Sequence, residues 1–554
     1  MAAPVRIAFL GGLGEIGRNC MVFEVEGRLM LLDCGLMFPD ADMHGIDLVL
    51  PDFTYLRENA DRIEGVICTH GHEDHIGGLS YLLRDIPRLT IIGSALTLGF
   101  ARPRIEEAGL VGRANFVVVR DGERRQFGPF DLEFLPVTHS VPHAFATAFH
   151  TPQGVILHSG DFKLDLTPVD DRRTDLARMG SLATDPGIRL LLSDSTNAEE
   201  AGHAPSERSV GAVLRALFAE HAGRRIITAS FASHIHRIQQ IIDAAVANGR
   251  VVATLGLSMR RNVQLARELG LLRVSDHAIV DIEAVDGLPP GKVCIISTGS
   301  QGEPMSALTL MAQGENRWLK ITEHDTVILS SHAIPGNEFN VNRVIDGLLR
   351  LGAEVVHSGV ADVHATGHAQ ADELKTLLAV TKPQYFVPVH GEFRHLMAHS
   401  RLARQMGVTN DRMLLAEDGD VIELNDGGID FAGRVPAGYL YVDGTVGDVG
   451  QGVLRDRKVL AAEGVVVVVV AADVQTGEVI GDPEVITRGW VYAPEAEALL
   501  GEAQATVKAV VERSLANGVR DIESLERDIR RATGKFVSER TRRKPMIVPV
   551  LLEV

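Results

Sequence analysis

The feature that most constrains this chain is that its early strand-like runs end on side chains able to bind a metal. Across residues 1–204, VRIAFLG, CMVFEV, RLMLLDCG, GVICTH, NFVVV, FDLEFLPV and GVILHSGD alternate with turn signals and only brief helical stretches. Several of them close on or beside Asp33, His70, His139 or Asp161. Residues just past strand ends converge on one rim of a sheet, whereas the same residues scattered through helices would not.

The densest signal is ICTHGHEDHIGG, which carries His70, His72, Asp74 and His75 on a short loop after an apolar strand. Alternate side chains of an extended segment share a face, so His70 and His72 can grip one ion while the turn brings Asp74 and His75 to a second. His139 in PVTHSVPH, Asp161 in HSGDFK and His390 in VPVHGE stand at comparable strand ends and complete two ligand sets. The expected assignment is His70, His72 and His139 on one metal, Asp74, His75 and His390 on the other, and Asp161 bridging. Nitrogen and carboxylate donors without sulfur favour two Zn²⁺ per subunit, with Mn²⁺ the main competitor and Mg²⁺ a further option. Asp33 is expected to orient a ligand histidine. Two such metals serve hydrolysis, because they acidify a water and brace a phosphorus or carbonyl as charge develops.

The four cysteines, Cys20, Cys34, Cys68 and Cys294, lack the spacing of a metal finger or a CxxC pair, so no disulfide framework is expected and a reducing cytoplasm fits best. The N-terminal MAAPVRIAFLGG has no basic region leading into an apolar signal core. The longest apolar run, Val465 to Ala472, is far short of a membrane span and reads as a buried strand. A net charge of -18 argues against broad nucleic-acid binding, although a catalytic groove needs only local complementarity.

From 205 to 358, amphipathic helices such as SERSVGAVLRALFAEHAG and HRIQQIIDAAVANG alternate with strands such as RRIITAS, the pattern of an α/β unit with a parallel sheet. From 359 to 449, DVHATGH and YFVPVHGE restore the strand-then-ligand pattern, so the middle region reads as an insertion. Residues 450–554 form a third unit, with the strand VVVVVVAADV, helices around 494 to 533 and the closing strand MIVPVLLEV. Its basic residues Arg527, Arg530, Arg531, Lys535, Arg540, Arg542, Arg543 and Lys544 read first as a solvated face. Gly12, Gly14 and Gly17 match the GxGxxG dinucleotide fingerprint, but two strands rather than a helix follow, so a tight turn is expected.

LLDCG, THGHEDHIGG, THSVP, HSGDFK, LLSDSTN, FASHIHRIQQ, TGSQGEP, DVHATGH and PVHGE, in this order, resemble the bacterial ribonuclease J family of β-CASP metallo-β-lactamase hydrolases. The resemblance runs through the ending TRRKPMIVPVLLEV. It implies an α/β protein: an αββα metallo-β-lactamase core, an inserted β-CASP α/β domain and a small C-terminal α/β domain used in assembly. The activity it implies is hydrolysis of RNA in processing and decay, both endonucleolytically and 5′-to-3′ from single-stranded ends with a 5′-monophosphate. It also implies a homodimer or homotetramer and no membrane. By the same resemblance Asp74, Asp194 and His368 are catalytic, with His368 either a general acid or a phosphate ligand. Ser233, His234 and Ile235, with His364, Ala365, Thr366, Gly367 and His368, hold substrate phosphates, and Asp47 and Asp443 are candidates for a structural calcium. His143 stands where an acidic residue is expected, and His234 stands where asparagine is usual. A β-CASP DNA nuclease, a small-molecule metallo-hydrolase such as a lactonase or thioesterase, and a metal-stabilised RNA-binding scaffold are the alternatives.

Overall fold

The computed structural model describes residues 2–40, 42–303, 305–334, 337–444, 449–491 and 496–554. By its internal contacts the chain divides into one unit of Met1–Met37 with Leu50–Tyr439 and another of Phe38–Val49 with Leu440–Val554.

The first unit is built on two sheets. One has eight strands in the order Gly428–Arg434, Asp420–Asn425, Val5–Gly11, Cys20–Val25, Arg28–Leu32, Ile63–Ile67, Leu89–Gly93 and Ala114–Val118. The other has six, in the order Tyr385–Val389, Ile188–Asp194, Gly154–His158, Ala144–Thr151, Phe130–Val137 and Arg124–Phe127. Both bury apolar residues in one core, Phe9, Phe23 and Met30 from the first sheet and Phe134, Phe149, Leu190 and Val387 from the second. Helices Leu176–Thr184, Ala371–Thr381 and Phe393–Gln405 close a second apolar layer over the six-stranded sheet. Strands buried on both faces cannot alternate polar and apolar residues. That is why runs such as LLLSD and YFVPV are nearly all apolar.

A parallel sheet occupies the middle of the sequence, in the order Val251–Leu255, Val293–Ser297, Arg225–Ala229, Asp325–Leu329 and Glu354–Val356. Helices Glu207–Glu220, Ile235–Ala247 and Leu257–Glu268 pack on one side and Ala307–Gln313 and Glu338–Arg350 on the other. Arg237, fully buried, ties two of these layers together. Its guanidinium bonds both carboxylate oxygens of Glu207 at 2.6 and 2.8 Å and the carbonyls of Ser330 at 2.7 Å and Val363 at 2.8 Å.

After the parallel sheet the chain returns through residues 361–370, expected as a strand. It belongs to no strand; Asn197 bridges to Gln370, and Ala369 N donates to Phe162 O at 2.7 Å. Burial alternates along it: Val363, Ala365, Gly367 and Ala369 face inward, and His364, Thr366 and His368 are partly accessible.

In the second unit the strands Glu478–Arg488, Val465–Asp473 and Met546–Glu553 form one sheet. Helices Glu497–Ala516 and Ile522–Thr541 cover one of its faces, and the start expected near 494 lies outside the described residues. The valine run is therefore buried on alternate residues only, Val466, Val468 and Val470, because a single helical layer covers it. The sequence division placed Phe38–Val49 in the first core. It groups instead with the C-terminal segment, where Asp47 N donates to Val442 O at 2.8 Å and Lys458 pairs with Asp42 at 2.6 Å.

Candidate metal centre

The strand Ile63–Ile67 ends three residues before His70, and the glycine-flanked loop turns into the short helix Glu73–Ile76, which starts right after His72. Three imidazole nitrogens meet there. His72 Nδ1 lies 3.0 Å from His70 Nε2 and 3.2 Å from His139 Nε2. Asp161 Oδ2 is 3.6 Å from His70 Nε2 and 3.1 Å from His75 Nε2. His390 Nε2 stands 3.5 Å from both Asp74 Oδ2 and Asp161 Oδ2. The structure thus brings together His70, His72, His139 and Asp161 as one possible ligand group and Asp74, His75, Asp161 and His390 as another, with Asp161 common to both.

The outer ring nitrogens show that these donors fit a cation. His75 Nδ1–H donates to Asp33 at 2.8 Å, and His139 Nδ1–H to the carbonyl of Gly367 at 2.8 Å. Thr69 Oγ1 is bonded to Asp33 and leaves an acceptor for His70 Nδ1–H at 3.1 Å. Thr196 Oγ1 donates to Asp194 at 2.8 Å and accepts from His390 Nδ1–H at 2.7 Å. Each of these four rings is fixed in the tautomer that turns the Nε2 lone pair inward. His390 Nε2 is buried without a hydrogen-bond partner, as a metal ligand should be.

Electrostatics divides the two sets. Burial holds His70 and His139 well below the ordinary histidine value and His72 at about 4, so all three are neutral donors. Burial opposes charge on His75 and His390 as well. The surrounding carboxylates, Asp161 foremost, outweigh it, lifting His75 well above its usual value and His390 to about 9. The second set therefore strongly favours positive charge. Asp74 and Asp161 remain ionised despite burial because of these histidines.

Beside the second set, His368 Nδ1 bonds Asp194 Oδ2 at 2.8 Å, and the His368 ring stacks 5.5 Å from that of His390. Burial works against the His368 imidazolium, but Asp194 prevails and raises its pKa. The side chain keeps 21% exposure, which leaves Nε2 as the ring nitrogen open to a ligand.

Residues 13–205 match the metallo-beta-lactamase superfamily, 223–348 the ribonuclease J beta-CASP domain, 353–413 the Zn-dependent metallo-hydrolase RNA specificity domain, and 452–554 the ribonuclease J C-terminal domain. Ribonuclease J of Mycolicibacterium smegmatis is 44% identical over 99% of this chain and 97% of that protein. The chain belongs to the ribonuclease J family. Ribonuclease J of Thermus thermophilus is 44% identical, covering 99% of this chain and 95% of its own. Ribonuclease J2 of Bacillus subtilis is 39% identical over 99% of each. A solved structure from Enterococcus faecalis V583, described as a protein of unknown function, matches with a TM-score of 0.54 at 16% identity. It covers 76% of this chain and 100% of that one, a likeness of fold alone.

Within that family frame, several expected substrate residues have other duties here. Ile235 is buried, and its N–H donates to Ser233 O at 2.9 Å, so neither its side chain nor its amide is free for a phosphate. His234 is 2% exposed, caps the helix Ile235–Ala247 by accepting from Arg237 N at 3.4 Å, and is held at about 4 by burial. It therefore stays neutral at ordinary pH and cannot make phosphate binding pH-sensitive there. Ala365 is buried, and Gly367 orients His139; a Cβ at Gly367 would lie 2.7 Å from the His139 ring. Ser233, His364 and Thr366 remain partly accessible. His364 Nδ1 is buried with no partner. His143, left-handed at φ 59°, sits among Arg172, Asp121, Asp170 and His236, and burial lowers its pKa.

Sequence reasoning missed three residues. Thr69 and Thr196 each link a carboxylate to a ligand histidine. Asn19 reaches Asp74 O at 3.1 Å and His75 Nε2 at 3.2 Å through its amide. It closes the loop bearing Gly12, Gly14 and Gly17, all at positive φ, which joins two antiparallel strands with no helix and so excludes the dinucleotide fold. The position of that loop, ending a strand on the ligand rim, was the available signal. Asp443 is ion-paired with Arg457, and Asp47 accepts the Gly444 N–H at 2.7 Å. No group of three His, Cys, Asp or Glu ligand atoms surrounds them among the described residues, so the calcium expectation finds no support.

Proposed function

We propose that this chain, a metal-dependent ribonuclease by family, hydrolyses RNA as a 5′-to-3′ exonuclease favouring 5′-monophosphate ends, with endonuclease activity as well. The observation that carries the reading is Asp161 shared between two ligand groups, with the Asp194–His368 pair adjoining the second. His70, His72 and His139 would hold one divalent cation and Asp74, His75 and His390 the other, Zn²⁺ first by donor chemistry. Such a pair supplies Lewis-acid activation of a water and neutralises charge at phosphorus. In the cleavage itself, the water oxygen bonds to phosphorus and the P–O3′ bond breaks. His368, held by Asp194, gives its Nε2 proton to the departing 3′ oxygen, so the released nucleotide ends in a 3′-hydroxyl and the shortened RNA carries a new 5′-phosphate.

The donors around the proposed phosphate path support the reading of a 5′-monophosphate preference. Burial holds His364 neutral at about 3, Ser233 offers a hydroxyl, and the nearby Arg237 is spent on Glu207. Neutral donors suit a modest charge better than a triphosphate. Four free cysteines, all buried, fit a reducing cytoplasm, and no helix among the described residues is long and apolar enough to cross a membrane. Assembly as a homodimer or homotetramer is part of the same reading. The deciding experiment digests one end-labelled RNA bearing a 5′-monophosphate or a 5′-triphosphate, beside a matched DNA. Mononucleotides from the monophosphate RNA alone support the proposal. Equal rates on RNA and DNA would sink the RNA assignment, and equal rates on the two RNAs would sink the end preference.

A further inference from the structure

Helix Ile522–Thr541 buries Leu525, Ile529, Thr533 and Val537 and turns a basic stripe outward. Arg527, Arg531 and Lys535 follow one another at four-residue spacing, about 6 Å apart along the axis. Arg542 continues the line just past the helix end, and Arg530 flanks it. All five are exposed. Among the described residues Arg527, Arg530, Arg531 and Arg542 make no ion pair and Lys535 has only Glu539 at 3.9 Å, whereas the neighbouring Arg540 and Arg543 are engaged by Glu502 and Glu463.

Such an arrangement has a cost. Like charges at this spacing destabilise a helix. Gly534, on the same side with open space where a Cβ would stand, weakens the helix relative to alanine. Among the described residues only Glu539, 3.9 Å from Lys535, and Asp521, in the field of Arg527, offset the repulsion. Residues 520–544 hold nine Lys and Arg against five Asp and Glu, in a chain whose net charge is -18. A solvated face needs neither unpaired like charges in register nor a missing side chain among them. A polyanion laid along the helix uses both, the cations for its phosphates and the glycine for close approach.

We propose that this face is a second RNA contact, binding the phosphates of single-stranded RNA apart from the metal centre. The inference rests on RNA being the substrate. A long RNA held at two places on one chain binds more tightly than either contact alone allows.

The test is a chain carrying Arg527→Gln, Arg531→Gln, Lys535→Gln and Arg542→Gln, beside one with the three arginines changed to lysine. Binding of a phosphorothioate RNA of about 40 nucleotides is measured across salt concentrations, where each lost phosphate contact removes about 0.7 from the slope of log K against log salt. The expected result is a slope shallower by about 3 in the glutamine chain and near-parental in the lysine chain, with melting temperatures preserved. An unchanged slope in the folded glutamine chain overturns the inference. So does an unchanged slope with a fall in molecular mass by light scattering, which assigns the face to contact between copies. If the parent chain itself fails to bind RNA, the functional reading falls as well, an outcome distinct from parental binding that the substitutions leave intact.

Discussion

His368 and His234 have opposite electrostatic fates, set by their immediate neighbours. His368 is tied to the Asp194 carboxylate, which raises its pKa and holds the ring in place. His368→Ala is expected to lower kcat by about 10²–10⁴ with RNA affinity nearly retained; equal losses in binding and turnover would make it a phosphate ligand instead. His234 is buried beside Arg237, and Glu207 only partly offsets that burial. Its folded value of about 4 lies below the ordinary 6.5. The unfolded chain therefore takes up a proton that the folded chain refuses, and stability is lost as pH falls from 6.5 towards 4. His234→Asn should show a shallower loss of melting temperature across that window, and an identical slope would contradict the shift. The candidate ligand groups were legible because they need fixed residue types at strand ends or in the short loop and helix that follow one. Thr69, Thr196 and Asn19 were not, since an orienting hydroxyl or amide has no distinctive spacing.

At the level of elements, the helices Glu207–Glu220 and Ile235–Ala247 are held by Arg237 and Glu207, with the Ser330 and Val363 carbonyls. Glu207→Ala strands a buried guanidinium and is expected to cost about 3–5 kcal/mol in denaturant unfolding; a loss below 1 kcal/mol would mean water reaches the site. The C-terminal sheet is the opposite case, apolar yet uncovered on one side. Ile486 and Val548 flank Val467 at 38% and 37% exposure, and Ile480 and Leu552 flank Ala471 at 46% and 50%. Val548→Lys with Leu552→Lys should lower the mass measured by light scattering if copies associate through this face, and an unchanged mass rejects it. From sequence the valine run read as a buried strand, because periodicity counts apolar residues and cannot show how many layers lie against them. The strands themselves were readable. The return segment 361–370 was not a sheet strand because its polar groups are satisfied by Arg237, Asn197 and neighbouring backbone.

For the molecule as a whole, the candidate ligands come from segments far apart in sequence, so metal binding would be coupled to folding. Metal at 100 times its dissociation constant should stabilise the chain by about 2.7 kcal/mol, seen as a melting temperature that a chelator lowers. Asp161→Asn should shrink that difference. A parent chain indifferent to chelator would contradict the ligand assignment. The interruption of one core by a parallel α/β region could be read from the change in texture and its reversal. The grouping of Phe38–Val49 with the C-terminal unit could not, because that segment is held there by backbone and charge contacts rather than by any apolar pattern.

The return of the chain to supply His390 also bears on timing. During synthesis His70, His72, Asp74, His75, His139 and Asp161 emerge first, and roughly 230 residues must follow before His390, a delay on the order of 10–50 s at ~5–20 residues per second. A ribosome is surrounded by RNA. A nascent chain of this design lacks His390, and the His368 proposed to protonate the leaving group, until the body of the protein has been made, so the order of its residues would delay cleavage until most of the enzyme has emerged.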